Sequence, residues 1–164
     1  MTKIQYCPTC RTALVEKGFE GKIRLACPSD TCDYVYWDSP IPVVAGIVEY
    51  DGKIILARNR SWPGNMFGLV TGFLEKDEFP ETGIVREVQE ELGLTGKVVA
   101  LVGLYPFAMM NQLIIAYHVT GEGEIQLGHE LAEIKLVEPN RLKPWNFGTG
   151  LAVRDWVLSL GNTT

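Results

Sequence analysis

No stretch of the 164-residue sequence reaches the ~18 consecutive apolar positions that a membrane-spanning helix needs. The N-terminal run MTKIQYCPTC is polar from its first residues and lacks the apolar core of a secretion signal, so the expected compartment is the cytoplasm. Basic charge is also short. The net charge of -5 leaves out the broad cationic footprint of a nucleic-acid-binding protein, so RNA is possible as a partner but not favoured. Anionic substrates stay open, because an acidic site accepts phosphates once metal ions stand between the two. Low-complexity tracts and internal repeats are absent, and so is cysteine beyond residue 32.

Apolar residues make up 46% of the chain and charged residues 21%, the proportions of a folded protein rather than a disordered one. The length suffices for one main domain with its own core. All four cysteines fall early, Cys7 and Cys10 in CPTC and Cys27 and Cys32 in CPSDTC. Both gaps suit two thiolates gripping one tetrahedral Zn²⁺, and the intervening stretch is long enough for a small hairpin or loop. A zinc ribbon over about residues 4–38 has this layout. A pair of disulfides is the rival reading, and the absence of a secretion signal argues for reduced thiols. Four thiolates fill the coordination sphere, so such a zinc is structural: it staples a unit too small to bury a core alone.

The expected domains are therefore 1–39, the ribbon, and 40–164, the main domain. SPIPV around Pro40 and Pro42 reads as a short linker between them. Asp51-Gly52 between the apolar runs VVAGIVEY and KIILAR signals a hairpin. FGLVTGFLE, KVVALVGLY, QLIIAYHV and EIKLVEP are further strand candidates. Residues 80–92 predict a helix, with Pro80 at its first position, Gly93 just past its end, and Ile84, Val85, Val88 and Leu92 as its apolar stripe. Phe79, in the N-cap slot, offers no side-chain oxygen, and Gly83 inside the helix marks close backbone packing. GTGLAVRDWVLSLG reads as a closing amphipathic helix with Thr149 as a possible cap. Strands with two helices make the class α+β with a mixed sheet.

On the first helix Glu87, Glu90 and Glu91 are spaced i, i+3 and i+4, so three like charges crowd one face and repel. Three carboxylates so placed are a hard-oxygen site suited to Mg²⁺ or Mn²⁺, which would remove the repulsion. The bland alternative is a solvated acidic face. Arg86 can pair with Glu90 at i+4 and with Glu78 from the preceding loop, a structural role that holds loop to helix.

From Gly72 to Leu94, nine positions follow a fixed spacing: Gly72, Glu78, Arg86, Glu87, Val88, Glu90, Glu91, Gly93 and Leu94. This pattern matches the signature box of the Nudix hydrolases, and the resemblance extends over roughly residues 42–160. It implies a Nudix-type α/β/α sandwich with a mixed sheet, preceded here by the small zinc ribbon. It implies Glu87, Glu90 and Glu91 as ligands of catalytic Mg²⁺ or Mn²⁺, with the Gly72 carbonyl as a further ligand.

The ribbon and three other stretches resemble the NADH pyrophosphatase branch: YVYWDSP at 34–40, YPFAMMNQL at 105–113 and FGTGLAVRDWV near the C-terminus. In YPFAMMNQL the aromatic-Pro-Phe core carries over as Tyr105-Pro106-Phe107, whereas the flanking positions of that motif are replaced by Gly103, Leu104 and Ala108. Tyr105 or Phe107 would stack on a base or nicotinamide, or else belong to a strand-end core cluster. The branch also implies a homodimer. A Glu before the last strand serves there as an extra ligand or base; Glu130 fits that place, with Glu133 as competitor, and His129 is assigned no role.

The expected activity is metal-dependent hydrolysis of the pyrophosphate bond in a nucleoside diphosphate linked to another moiety, such as NAD(H) or ADP-ribose. Glu91 or Glu130 would take the proton of the attacking water. Two alternatives remain: removal of a dinucleotide cap from RNA, and a regulatory module in which ribbon and Nudix domain only bind nucleotide or RNA.

Overall fold

The computed structural model describes residues 4–64 and 66–161; the outermost positions of the two expected domains, 1–3 and 162–164, lie outside the described residues. The chain divides into two compact units, Met1–Ser39 and Pro40–Thr164.

In the first unit β1 (Val15–Phe19), β2 (Lys22–Ala26) and β3 (Val35–Tyr36) form an antiparallel meander. Its only buried apolar residues among those described are Cys7, Ala26 and Cys27. Two tight turns aim the cysteines at one another: Arg11 N–H donates to Cys7 O at 2.8 Å, and Cys32 N–H to Ser29 O at 3.1 Å. The sulfurs meet across these turns, Cys7 Sγ to Cys32 Sγ at 3.7 Å and Cys10 Sγ to Cys27 Sγ at 3.4 Å, with all four within 4.8 Å of one another. A tetrahedron of Zn–S bonds of ~2.3 Å has edges of about 3.8 Å, so the thiol cluster is compatible with a single zinc. The thiols are not joined as disulfides.

The second unit is a sheet between two helices. Its strands are β4 (Ile41–Tyr50), β5 (Lys53–Asn59), β6 (Val70–Phe73), β7 (Thr95–Phe107), β8 (Gln112–Glu122) and β9 (Leu131–Val137), with α1 (Pro80–Leu92) after β6 and α2 (Gly150–Leu160) after β9. The order is β7-β8-β4-β5-β9, with β6 also on β4. β4 runs parallel to β8 and antiparallel to β5 and β6, which makes the sheet mixed. Asp51 and Gly52 turn β4 into β5 with φ of 49° and 72°, the left-handed pair that a two-residue hairpin needs.

Alternation along β4 separates the two faces. Val44 and Val48 join Ile84, Val88 and Leu92 of α1 in one core; Ala45 and Ile47 join Ala152, Val153 and Trp156 of α2 in the other. The fold is thus the expected α/β/α sandwich.

Three sequence expectations are corrected. The linker around Pro42 is strand: β4 begins at Ile41, whose N–H donates to Asn111 O at 2.8 Å, and Pro42 supplies only its carbonyl, to Leu74 N–H at 3.3 Å. Proline is tolerated there because no donor is required of it. Thr149 precedes α2 but makes no side-chain cap, since its own backbone is already helical. The buried stripe of α1 is Gly83, Ile84, Val88, Glu91 and Leu92, with Val85 only half-buried. The helix itself spans the residues its periodicity predicts.

Candidate active site

The C-terminal half of α1 carries acids where the helix macrodipole favours cations, and its last turn holds no basic residue. What compensates them is partly Arg86. Its guanidinium forks onto Glu78, Nε to Oε1 at 2.9 Å and an Nη to Oε2 at 3.0 Å, and its other Nη donates to Glu87 at 2.6 Å and Glu90 at 3.2 Å. It also donates to Phe73 O at 3.1 Å, tying the end of β6 and the following loop to the helix. The charge-assisted bond from Arg86, with Glu75 N–H, holds the Glu78 carboxyl below its usual range. Arg86 is itself driven further into its charged form by Glu78, against the cost of burial.

Glu87 and Glu91 are pushed the other way. Burial raises the Glu87 carboxyl, against the lowering effect of Arg86, with the negative charges of Glu90 and Glu130 adding to the rise. Glu91 is only 8% exposed, and burial, then the charges of Glu87, Glu130 and Glu90, push it up to about 8. This helix holds carboxylates in a state that an approaching cation would relieve.

Glu130 reaches the same place by a tertiary device. The loop before β9 clamps the end of α1: Gln126 N–H donates to Leu92 O at 2.8 Å and Gly128 N–H to Glu91 O at 2.9 Å. A Cβ on Gly128 would lie 2.3 Å from Glu90 O, so only glycine allows this approach. Two residues later Glu130 meets Asn59 Nδ2 at 3.4 Å. Glu133 instead points to Arg58, at 3.3 Å, and leaves the cluster to Glu130. His129 is exposed.

These elements border a cavity of about 930 Å³. Its lining includes Gly72, Arg86, Glu87, Glu90 and Glu130 together with five aromatic side chains, Trp62, Phe67, Phe107, Trp145 and Phe147. Glu91 lies apart from it, in a small adjoining recess with Asn59 and Thr71. Gly72 is the close contact of the acids, since a Cβ there would sit 1.9 Å from the Glu87 carboxyl.

The aromatic pair expected from YPF is split. Tyr105 is buried in the α2-side core, where its hydroxyl donates to Asp155 Oδ2 at 3.0 Å; that bond and, above all, burial push its pKa up to about 12. Only Phe107 lines the cavity. Sequence reasoning missed Trp62, Phe67, Trp145 and Phe147, which sit in loops without periodicity.

The oxygen donors fit a hard divalent cation by type. They are not gathered as the thiols are: among the described residues only the cysteines bring three or more such ligand atoms within 4.8 Å of one another. Arg86 bridges two of the carboxylates, Glu87 and Glu90, through one Nη.

The second unit is thus a mixed sheet between two helices, with residues from the end of α1 and five aromatic side chains lining one cavity. A family model for the NUDIX domain matches residues 40–155, and the chain belongs to the Nudix family. It is 31% identical over 135 residues to an ADP-ribose pyrophosphatase of Methanocaldococcus jannaschii, covering 78% of this chain and 79% of that protein. It is 35% identical over 95 residues to the NAD-capped RNA hydrolase NudC of Mycobacterium bovis, covering 57% of this chain but 30% of that protein's length. The crystal structure of a NUDIX hydrolase from Nitrosomonas europaea superimposes with a TM-score of 0.81 at 21% identity, over 98% of this chain and 94% of that one. No helix among the described residues is long and apolar enough to cross a membrane.

Proposed function

We propose that the chain hydrolyses the pyrophosphate bond of a nucleoside diphosphate linked to another moiety, with residues 40–164 as the hydrolase domain and 1–39 as a zinc ribbon. The observation that carries this reading is one cavity lined both by Gly72 with the carboxylates beside it and by five aromatic side chains. Glu87, Glu90, Glu91 and the Gly72 carbonyl would hold Mg²⁺ or Mn²⁺, with Glu130 as a further ligand or base. A divalent cation bound there neutralises phosphate charge and lowers the pKa of an attacking water. Arg86 and Glu78 keep the loop and helix in register. Glu130, which lines the cavity, is the better proton acceptor than the recessed Glu91. Phe107 and the neighbouring aromatic side chains orient a planar base and exclude water from the reacting phosphates. Cys7, Cys10, Cys27 and Cys32 would close around a structural zinc. A cytoplasmic location and a homodimer belong to the same proposal.

The test is a hydrolysis panel with Mg²⁺ and Mn²⁺ over NADH, NAD, ADP-ribose, dinucleoside polyphosphates and nucleoside triphosphates. Turnover of at least one nucleoside diphosphate derivative is expected; failure on all of them overturns the reading. Removal of a dinucleotide cap from RNA is a second reading, favoured by the similarity to NudC. NAD-capped RNA in the same panel tests it.

A further inference from the structure

The five basic and five acidic residues of residues 1–39 cancel, so the whole net charge of -5 lies in residues 40–164. Within the first unit the charges are sorted by face. The register pairs Lys17 with Arg24 and Phe19 with Lys22, and directly paired residues share a face. Trp37 joins that face: its ring lies edge-on to Phe19 at 6.2 Å and under the Arg24 guanidinium at 4.9 Å. Glu16 sits on the opposite face with Leu25 and Tyr36, and Asp38 accepts from the Tyr36 hydroxyl. One side of the meander therefore presents Lys17, Lys22 and Arg24 around Phe19 and Trp37 with no strand carboxylate.

The three cations are not neutralised within the unit. Lys17 Nζ donates to Cys27 O at 2.9 Å and Arg24 to Trp37 O, both uncharged acceptors. Among the described residues none of the three makes an ion pair closer than 4.0 Å. Trp37 remains 51% exposed, a large aromatic surface left in water beside those charges.

We propose that this face of the first unit binds single-stranded RNA, with Trp37 stacking on a base and Lys17, Lys22 and Arg24 meeting the phosphates. An exposed aromatic ring among unpaired cations is the combination that single strands need: stacking tolerates any base, and the cations follow the backbone. An acidic protein surface would satisfy the charges but leaves the indole without a planar partner. This face and the cavity of the hydrolase reading have no residue in common, so either assignment can fail without the other.

The experiment is fluorescence polarisation of a labelled, uncapped 12-nucleotide RNA with the zinc-loaded full chain, without Mg²⁺, across a salt series. Hydrolysis of ADP-ribose and zinc content are measured on the same preparations. The wild type is expected to bind with a dissociation constant that rises with salt, a log–log slope of about 2 for three phosphates. Trp37→Ala should weaken binding about tenfold and Trp37→Phe much less, because a ring remains to stack. Lys22→Glu should weaken binding and flatten the salt slope, with zinc content and ADP-ribose hydrolysis unchanged. No RNA binding by the zinc-loaded wild type overturns the proposal. So does equal binding by wild type, Trp37→Ala and Lys22→Glu. If Trp37→Ala changes only the oligomeric state by light scattering, the face covers a second copy of the chain and the RNA assignment is wrong.

Discussion

In residues 4–38 four thiols face one another, sulfur to sulfur at 3.4 and 3.7 Å across two turns, whereas the three carboxylates at the end of α1 do not converge in that way, and two of them share one Nη of Arg86. The first cluster sits in a unit whose buried apolar residues, among those described, are Ala26 and two of the cysteines themselves. The second sits on a helix already held by a complete core of Val44, Val48, Ile84, Val88 and Leu92. Where a core is missing, converging ligands replace it and leave no open position for a substrate. Where a core is complete, it can hold like charges on one helix face with their repulsion only partly relieved, here by Arg86. Packing stability thus supports a site that is locally unfavourable.

The largest effect should come from removing zinc. A structural zinc is worth ~10 kcal/mol or more, so stripping it should abolish amide-exchange protection over residues 4–38 while protection in β4, β8 and α1 stays intact. Metal analysis should find about one zinc per chain, and a metal-free protein with full protection in the meander would break the comparison on the thiol side.

On the carboxylate side Glu87→Gln should leave the fold in place and lower turnover by a factor of ~10² or more, read from steady-state kinetics with saturating Mg²⁺. Near-normal turnover would return α1 to a solvated acidic face. Gly72→Ala should cost activity and Mg²⁺ response together, because its Cβ would lie 1.9 Å from the Glu87 carboxyl. Gly18→Ala, with nothing within 4 Å of the added carbon, should be silent in the same assays.

Smaller is the effect of Phe107→Ala, which should raise KM for a dinucleotide by roughly tenfold with little change in kcat, as expected for a ring lost from a stacking contact. The reverse pattern, lost stability with unchanged kinetics, would make Phe107 a core residue as Tyr105 is.

The smallest change is in apo stability. Burial raises the Glu91 carboxyl to about 8, so the folded state keeps a proton that the unfolded chain, titrating at ~4.3, has lost. Stability without metal should therefore fall as pH rises from about 4 toward 8. Glu91→Gln should flatten that slope, leaving the part due to Glu87: equal to wild type at pH 4, and more stable at pH 8 by at least a few tenths of a kcal/mol from relieved repulsion. Mg²⁺ should then stabilise the wild type more than the variant, since binding to the folded state acts by mass action. Urea titrations at the two pH values, with and without Mg²⁺, check both.

Local spacing alone determined the span of α1, the Asp51-Gly52 hairpin, the four thiols as one cluster, and the crowding of Glu87, Glu90 and Glu91 at one end of α1. Helix periodicity, turn stereochemistry and donor type act over a few residues and are legible without a fold. The same logic paired Tyr105 with Phe107, which do share a strand face. Both pack against the α2-side core, but Tyr105 is buried with its hydroxyl on Asp155 of α2, whereas Phe107 also lines the cavity. Tertiary structure likewise chose Glu130 over Glu133, because the loop clamped to the last carbonyls of α1 delivers one side chain to the acids while β9 pairs the other with Arg58. It also gathered Trp62, Phe67, Trp145 and Phe147 from two loops far apart in the chain. Such convergence depends on which strands pair and which loops are pinned, and those long-range contacts leave no period in the sequence.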